Sequence, residues 1–462
     1  MIEENKIEVF KLSEQEKKYI KESNPFILSG RPGTGKTTIT LIKLFNIYYN
    51  YQLQKQQLEN NIKFEKNSKL KSNDIRIVFT SLSQTLCNKV QNIFGKYFKY
   101  KKVEEEDLKF FDSFREITSY PIFINFRKLL FMIDTSLTFQ FFYRINLRKY
   151  EENINPEFEF YYSLDNKYKC NKYLYKNELY INFFYRNPIL DEKQNFIILK
   201  ESNENTFKKF YYDYLNNKNK EDELLKKLKS LNLNYLEIYA QLNSIIKGSY
   251  SSHLYSNNCI SKEEYILKGR KLTDLPDLDS IYEICMKYEF YKRKYNYFDI
   301  QDLTNHLIRQ VKLELINVKL IDFLFIDEIQ DLTINQIYLL ILISRYIKVY
   351  SGDTCQTISK INRFRFSELK NILYNLQKII PDFPNVSNAK LSINYRLNFK
   401  IQKLTTFLAY FIRELFPNTL DKFQDDFSIK IINEKPIYIS NINIIINQLI
   451  EYGNDFENQN II

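Results

Sequence analysis

The sequence predicts an α/β protein with a parallel, doubly wound sheet, a large and mainly helical insertion, and the incomplete start of a second α/β unit. Apolar strand-like runs alternate with helical patterns at both ends of the 462-residue chain. That alternation is lost over residues 100–295, which are rich in Tyr, Phe, Lys and Asn. We therefore expect the first sheet domain at 1–99 and 296–390, the insertion at 100–295, and the second unit at 391–462.

In the first half of the sheet domain, we expect two strands and two helices. Pro25–Ser29 is a short apolar run that predicts a strand, followed by a glycine-rich loop and a helix over Lys36–Asn50. Ile75–Phe79 predicts the next strand, and Gln84–Phe98 the next helix. Apolar strands flanked by helices are typical of a parallel sheet covered on both faces.

The later part of the sheet domain shows the same alternation of strands and helices. Phe323–Ile326 and Lys348–Ser351 predict two strands joined by the apolar helix Ile334–Tyr346. Further helical patterns and a last strand-like run are found at Glu221–Leu231, Ile281–Tyr295, Lys400–Phe416 and Pro436–Ser440. The last of these runs begins a sheet that the sequence does not complete.

Composition excludes several classes of protein. Hydrophobic residues make up 44% of the chain and charged residues 27%, which is typical of a folded protein. The five cysteines are dispersed without a C-x-x-C pair, and there are two histidines, so we expect neither a disulfide framework nor a zinc site. The N-terminus is acidic and no run of 18 apolar residues occurs, so we expect an intracellular protein of the nucleus or cytoplasm, without a membrane partner.

Charge and glycine are unevenly distributed. The net charge is +11, which favours polyanionic partners in general, although a lysine-rich soluble surface explains it equally well. The chain has only 8 glycines, and Gly30, Gly33 and Gly35 fall within six residues. Where glycine is so scarce, such a cluster indicates a backbone geometry that other residues cannot adopt.

These glycines belong to a phosphate-binding motif. The segment from Gly30 to Thr37 fits G-x-x-x-x-G-K-[ST] and lies between a predicted strand and a predicted helix. Backbone N–H groups of such a loop converge on phosphate oxygens, while Lys36 reaches the β- and γ-phosphates and the Thr37 hydroxyl holds Mg²⁺. The expected nucleotide-binding residues of this loop are Gly30, Arg31, Pro32, Gly33, Thr34, Gly35, Lys36, Thr37 and Thr38.

Two acids follow a later apolar strand. In Phe325-Ile326-Asp327-Glu328, we expect Asp327 to hold Mg²⁺ through water and Glu328 to orient and deprotonate an attacking water. One carboxylate for the metal and one for the water indicate a nucleoside triphosphatase that hydrolyses its nucleotide.

The motifs together resemble the UvrD/Rep-like superfamily 1 helicases. The segment Asp327-Glu328-Ile329-Gln330-Asp331 is similar to the family's D-E-x-Q-D box, and Asp299–Leu303 to its F-D-x-x-D-L segment. By this resemblance Gln15 belongs to the Q motif that recognises adenine. Phe79 and Thr80 begin motif Ia, which contacts single-stranded nucleic acid.

The remaining boxes occur in the family's order. Gly352–Gln356 resembles motif III, in which Gln356 would sense the γ-phosphate, and Asn394-Tyr395-Arg396 resembles motif IV. Tyr395 would then stack near the base, and Arg396 would neutralise charge on the γ-phosphate. The resemblance implies a RecA-like fold, ATP and Mg²⁺ as cofactors, and Lys36, Glu328, Gln356 and Arg396 as catalytic residues. It also implies single-stranded nucleic acid as partner, with DNA favoured over RNA.

Two segments suggest a branch of this family. Tyr120–Phe123 with Leu129–Asp134, and Ile245–Ser249, resemble the helicase-like part of large proteins that carry tetratricopeptide and ankyrin repeats. No such repeats occur in this chain.

Three interpretations stay open. Motifs V and VI, which the second RecA-like lobe supplies, are not found after Arg396. The chain is therefore expected to be an ATP-driven helicase core, an ATP-binding switch or scaffold that contacts protein partners without unwinding, or a fragment of a longer helicase.

Overall fold

The fold is taken from a computed structural model that describes residues 12–62, 75–98, 113–114, 117, 119–137, 141–146, 178–182, 200–216, 222–272, 275–313, 319–357, 362–381, 383–415, 421 and 425–430. Strands β1 to β12 span Phe26–Gly30, Ile77–Ser81, Ile122–Asn125, Phe142–Asn146, Glu178–Asn182, Lys200–Glu201, Tyr297–Phe298, Ile321–Ile326, Ser344–Gly352, Ser387–Leu391, Ile393–Asn398 and Phe427–Lys430. Helices α1 to α13 span Glu14–Lys21, Lys36–Ile62, Gln84–Tyr97, Phe126–Ser136, Glu204–Leu215, Glu223–Leu231, Tyr235–Ala240, Lys262–Leu272, Leu278–Lys294, Ile300–Leu313, Ile334–Ile343, Phe366–Ile379 and Phe399–Leu415.

Six strands form one parallel sheet in the order β10-β1-β9-β8-β2-β3. Side chains alternate between its two faces, as the period of a strand requires. On β1, Phe26 and Leu28 join one core with residues of α2 and α3, while Ile27 joins the other core with residues of α4, α10, α11 and α12. Both faces are therefore covered by helices, which confirms the mixed α/β architecture with a parallel sheet.

The helices α5 to α9 form a separate helical unit. Their buried side chains, among them Phe207, Leu228, Ile246, Tyr265 and Tyr288, build a core of their own. The chain enters and leaves this unit at one place, because β6, which precedes the unit in the sequence, pairs in parallel with β7, which follows it. It is thus inserted into the sheet domain between those two short strands.

A small second unit follows the last sheet strand. Strands β11 and β12 pair in parallel and are connected through α13. This β-α-β arrangement is the smallest piece of another parallel sheet. The strand-like run Pro436–Ser440 lies outside the described residues.

Two expectations need correction. Ser344–Tyr346 was expected in a helix but belongs to β9, because Ser344 pairs with Ile321 and Tyr346 with Phe323 on β8. The segment 100–295 was expected to be insertion throughout, yet β3 pairs with β2 and α4 packs into the core of the sheet domain. Since β3 has only four residues and runs directly into a helix, its sequence signal is too short to separate from its surroundings.

Within the described residues, the helices are too short or too polar to cross a lipid bilayer.

Candidate nucleotide site

Several sheet strands end together at one edge. The register pairs Gly30 at the end of β1 with Leu391 at the end of β10, and Ser29 with Gly352 at the end of β9. Strand β8 ends at Ile326, directly before Asp327. In open α/β sheets, ligands bind outside the carboxyl ends of the strands, and this edge carries the glycine-rich loop, the acid pair and the segment after β9.

The glycine-rich loop has the backbone that its sequence predicts. Gly33 and Gly35 both have positive φ, +83° and +88°, which other L-residues rarely adopt. A Cβ at Gly33 would also lie 2.6 Å from the Cβ of Arg396. The Lys36 side chain folds back over the loop and its Nζ donates to the Gly30 carbonyl at 2.8 Å. The loop therefore curves around a space next to the first turn of α2, where backbone N–H groups lack intrahelical acceptors.

The loop is joined to the acid pair by one short hydrogen bond. Thr37 Oγ1 donates to Asp327 Oδ2 at 2.6 Å, and Asp327 is fully buried. A hydroxyl and a carboxylate oxygen side by side are hard oxygen ligands of the kind that Mg²⁺ prefers. The donor set therefore fits a magnesium ion held next to phosphates in the loop.

Glu328 occupies an unusual position. Its backbone is left-handed, with φ 54° and ψ 47°, which costs a non-glycine residue about 1–2 kcal/mol. Burial and the neighbouring Asp327 raise the pKa of its carboxyl, while a hydrogen bond from Gln330 Nε2 at 2.7 Å opposes this rise. A carboxylate with a raised pKa at a strand end is suited to accept a proton.

The segment after β9 is attached to the acid pair through Gln330. The backbone N–H of Asp353 donates to Gln330 Oε1 at 3.0 Å, and a side chain at Gly352 would meet the same oxygen at 2.5 Å. Gln356 Nε2 donates to Asp353 Oδ2 at 2.8 Å. The sequence predicted Gln356 as a functional residue but assigned no separate role to Gln330, which links the two motifs.

Arg31 of the glycine-rich loop forms an ion pair with Asp353, in the segment after β9. It is nearly buried, and its Nη1 lies 3.5 Å from Asp353 Oδ2. A cavity of about 350 Å³ lies beside these two residues, between the sheet and α12. Arg31, Lys370 and Lys390 line it together with Asp353 and Asp421.

The first residues of β11 lie against the glycine-rich loop. The Tyr395 N–H donates to the Gly33 carbonyl at 2.9 Å, and Asn394 Nδ2 donates to the Pro32 carbonyl at 2.8 Å. Arg396 is exposed beside Gly33. Tyr395 and Arg396, both on β11, therefore lie beside the glycine-rich loop.

Gln15 belongs to α1, and Tyr395 contacts the same helix. Gln15 Nε2 donates to the Lys390 carbonyl at 3.1 Å and to Tyr19 Oη at 2.9 Å. Tyr395 Oη donates to Glu16 Oε2 at 2.6 Å, and burial and the Glu16 carboxylate raise the pKa of Tyr395 to about 12. Glu16 was not predicted as a site residue. Its sequence signal is the capping-box pattern Ser13-x-x-Glu16, which fixes the start of α1 and so the position of Glu16.

Phe79 and Thr80 do not lie at a surface. Both are fully buried in β2, Phe79 packs near Phe123 with ring centroids 6.1 Å apart, and the Thr80 carbonyl accepts from the Asp327 N–H at 3.0 Å. The expected contact of these side chains with nucleic acid is therefore corrected. Through the Thr80 carbonyl, β2 instead helps to position Asp327.

The structure thus brings together the predicted loop, acids, Gln356, Tyr395 and Arg396 at one edge of the sheet. With respect to known proteins, the chain matches no protein-family profile. It is 27% identical over 198 residues to TPR and ankyrin repeat-containing protein 1 of Homo sapiens. That similarity covers 41% of this chain and 7% of the human protein, so the chain spans only a small part of that relative.

Proposed function

We propose that this chain is a RecA-like ATPase of the UvrD/Rep-like type, which binds Mg–ATP, hydrolyses it and couples hydrolysis to single-stranded nucleic acid, with DNA favoured over RNA. The observation that carries the proposal is the 2.6 Å hydrogen bond from Thr37 to Asp327. It joins the phosphate-binding loop to a buried strand-end acid, which is the pairing that a magnesium-dependent NTPase requires.

Each residue has a definite task in this proposal. Backbone N–H groups of the loop and the Lys36 ammonium bind the phosphate oxygens, while Thr37 and Asp327 hold Mg²⁺. Mg²⁺ would supply positive charge to the phosphate groups. Glu328 takes the proton from the attacking water, and the Arg396 guanidinium neutralises charge that develops on the transferred phosphoryl group.

A second candidate is an ATP-binding switch that contacts proteins and does not move along nucleic acid. The burial of Phe79 and Thr80 favours it, because these were the residues expected to touch the nucleic acid. The two candidates share the nucleotide site and differ in whether nucleic acid stimulates turnover.

Steady-state ATPase of the chain, with and without single-stranded DNA and RNA, tests both candidates. Lys36→Ala should abolish nucleotide binding and Glu328→Gln should keep binding but stop turnover, whereas Lys96→Ala, an exposed lysine on α3, should change neither. Stimulation by a single strand supports the first candidate, and unstimulated turnover supports the second. An ATP affinity unchanged by Lys36→Ala would contradict the assignment of the loop.

A further inference from the structure

The loop that carries Glu328 is held in place partly by a residue outside every motif of the nucleotide site. Gln330 donates to Glu328, and its own backbone carbonyl accepts a hydrogen bond from Asn362 Nδ2 at 3.0 Å. Asn362 is buried, at 7% exposure, and precedes α12. A buried amide that donates to a loop carbonyl fixes both the position and the orientation of that loop.

Asn362 is in turn attached to the helical unit. Ser244 Oγ lies 3.4 Å from Asn362 Oδ1 and accepts from the Arg363 N–H at 3.1 Å. Ser244 belongs to the segment 241–249, which we call the junction segment and which begins with the π-helical turn Gln241–Ile246. The chain of contacts therefore runs from the helical unit through Ser244, Asn362 and Gln330 to Glu328.

The junction segment makes a second connection to the same region. The Lys247 carbonyl accepts from Asn335 Nδ2 and from Asn305 Nδ2, both at 3.0 Å, and the Asn335 N–H donates to the Gly248 carbonyl at 2.9 Å. Asn335 lies in the first turn of α11, directly after the loop that carries the acids. The middle of that loop, through Asn362, and the helix that follows the loop, through Asn335, are thus attached to the helical unit.

A buried ion cluster fixes the junction segment itself. Lys247 Nζ lies 2.7 Å from Asp299 and 2.6 Å from Asp302, and Lys292 pairs with the same two acids and with Glu289. All five side chains are buried. Glu289, Asp299 and Asp302 come close enough together to hold a cation, and among the described residues the two lysine ammonium groups occupy that place.

We propose that Asn362 is a positioning residue for the Glu328 carboxylate, and that the helical unit sets the geometry of that carboxylate through Ser244, Asn362 and Gln330. The proposal rests on the proposed function, because it assigns Asn362 a role in hydrolysis. It gives the insertion a route to the catalytic acid through hydrogen-bonded side chains.

The test compares Asn362→Ala with Asn371→Ala. Both asparagines line the cleft of about 290 Å³ between α12 and the helical unit, but Asn371 is exposed on α12 and, among the described residues, forms no hydrogen bond with residues 327–333. In the nucleotide-free protein, Asn362→Ala should speed hydrogen exchange of the backbone amides of residues 327–333 about tenfold, and Asn371→Ala should not. Ser244→Ala, which leaves Asn362 in place, should have a smaller effect in the same direction.

Turnover gives the second readout. Asn362→Ala should lower kcat about tenfold and leave the KM for ATP within about twofold, because the loop that binds the phosphates is untouched. In a Glu328→Gln background, which binds ATP without turning it over, the same substitution should leave the affinity for ATP within about twofold, since Asn362 does not act on the phosphate-binding loop.

The outcomes separate the two proposals. Wild-type turnover together with unchanged exchange and kcat in Asn362→Ala would overturn this inference and leave the proposed function standing. A wild type that binds ATP without turnover would overturn the proposed ATPase, and exchange in residues 327–333 would still decide whether Asn362 holds the loop. A loss of ATP affinity of about tenfold or more in the Glu328→Gln background would show that Asn362 acts on the nucleotide-binding loop and would also overturn the inference.

Discussion

At the scale of single residues, the two neighbouring acids of the site have different environments. Asp327 is fully buried and accepts a hydrogen bond from Thr37 Oγ1. Glu328 is partly buried, carries a left-handed backbone and shares its surroundings with the charge of Asp327. The protein therefore maintains one carboxylate that is suited to a metal and one that is suited to a proton.

The raised pKa of Glu328 predicts a pH-dependent effect of Glu328→Gln on stability. Because burial and Asp327 raise its pKa in the folded state, the ionised carboxylate destabilises the fold, and this loss develops as the pH rises from about 4.5 through the folded pKa. Glu328→Gln should thus raise Tm at pH 7.5, and this gain should shrink towards pH 4.5, where more than half of Glu328 is protonated in the folded state. Thermal melts at both pH values measure it. A variant less stable than the wild type at pH 7.5 would contradict the sign of the pKa shift.

Single residues also show how much of the site could be predicted from the sequence. Lys36, Thr37 and Asp327 could be predicted because phosphate and Mg²⁺ require these residue types at fixed places after a strand. The burial of Phe79 could not be predicted from its motif, because a motif match does not show that the strand lies inside a sheet covered on both faces. Asn362 carries no motif, and its contacts arise only when distant segments fold together.

At the scale of elements, the helical unit and the sheet domain share a buried ion cluster. Lys247 and Glu289 belong to the helical unit, whereas Asp299 and Asp302 begin α10 of the sheet domain. Although burial opposes ionisation, the charges of Lys247 and Lys292 lower the pKa of Asp302. An Asn258 amide also donates to Asp302 at 2.9 Å, so the acid is hydrogen-bonded as well as paired. Such a cluster fixes the relative position of the two units only while all its members are present.

Removing one member of the buried ion cluster should therefore destabilise the fold. Lys247→Met should lower the free energy of unfolding by about 3 kcal/mol or more, because it leaves buried carboxylates without one of their partners. Lys262→Met is the matched control: Lys262 also pairs with two acids, Asp279 and Glu283, but at the surface, where such pairs contribute about 1 kcal/mol or less. Urea unfolding at equilibrium measures both. Equal losses in the two variants would contradict a stabilising role of the cluster.

Elements were predictable where their patterns were long. The helix over Gln84–Phe98 and the strands at Pro25 and Phe323 lie within two residues of the observed α3, β1 and β8. The helix α11 and strand β9 follow one another without a loop, and the apolar sequence continues through both. Hydrophobic periodicity cannot locate the residue at which this helix ends and the strand begins. The boundary is set by the pairing of Ser344 and Tyr346 with β8.

At the scale of the whole molecule, charge and architecture indicate where a polyanion would bind. The net charge is +11, and the strand ends that form the nucleotide site also border the cavity beside Arg31. Lys370 and Lys390 are exposed at that cavity, on α12 and at the end of β10. Because this cavity and the glycine-rich loop share Gly30 and Arg31, a strand bound there would lie directly beside the nucleotide.

Binding of single-stranded DNA should accordingly depend on salt and on these two lysines. With about three phosphate contacts, affinity should fall roughly tenfold to twentyfold between 50 and 200 mM salt, because each contact releases about 0.7 counterion from a single strand. Lys370→Gln and Lys390→Gln together should weaken binding and reduce the slope of log K against log salt by about 1.4. Lys229→Gln, an exposed lysine on α6 of the helical unit, should leave the slope unchanged. Fluorescence anisotropy with a labelled oligonucleotide measures the slope. If Lys370→Gln and Lys390→Gln together leave the slope unchanged, the nucleic acid binds elsewhere on the molecule.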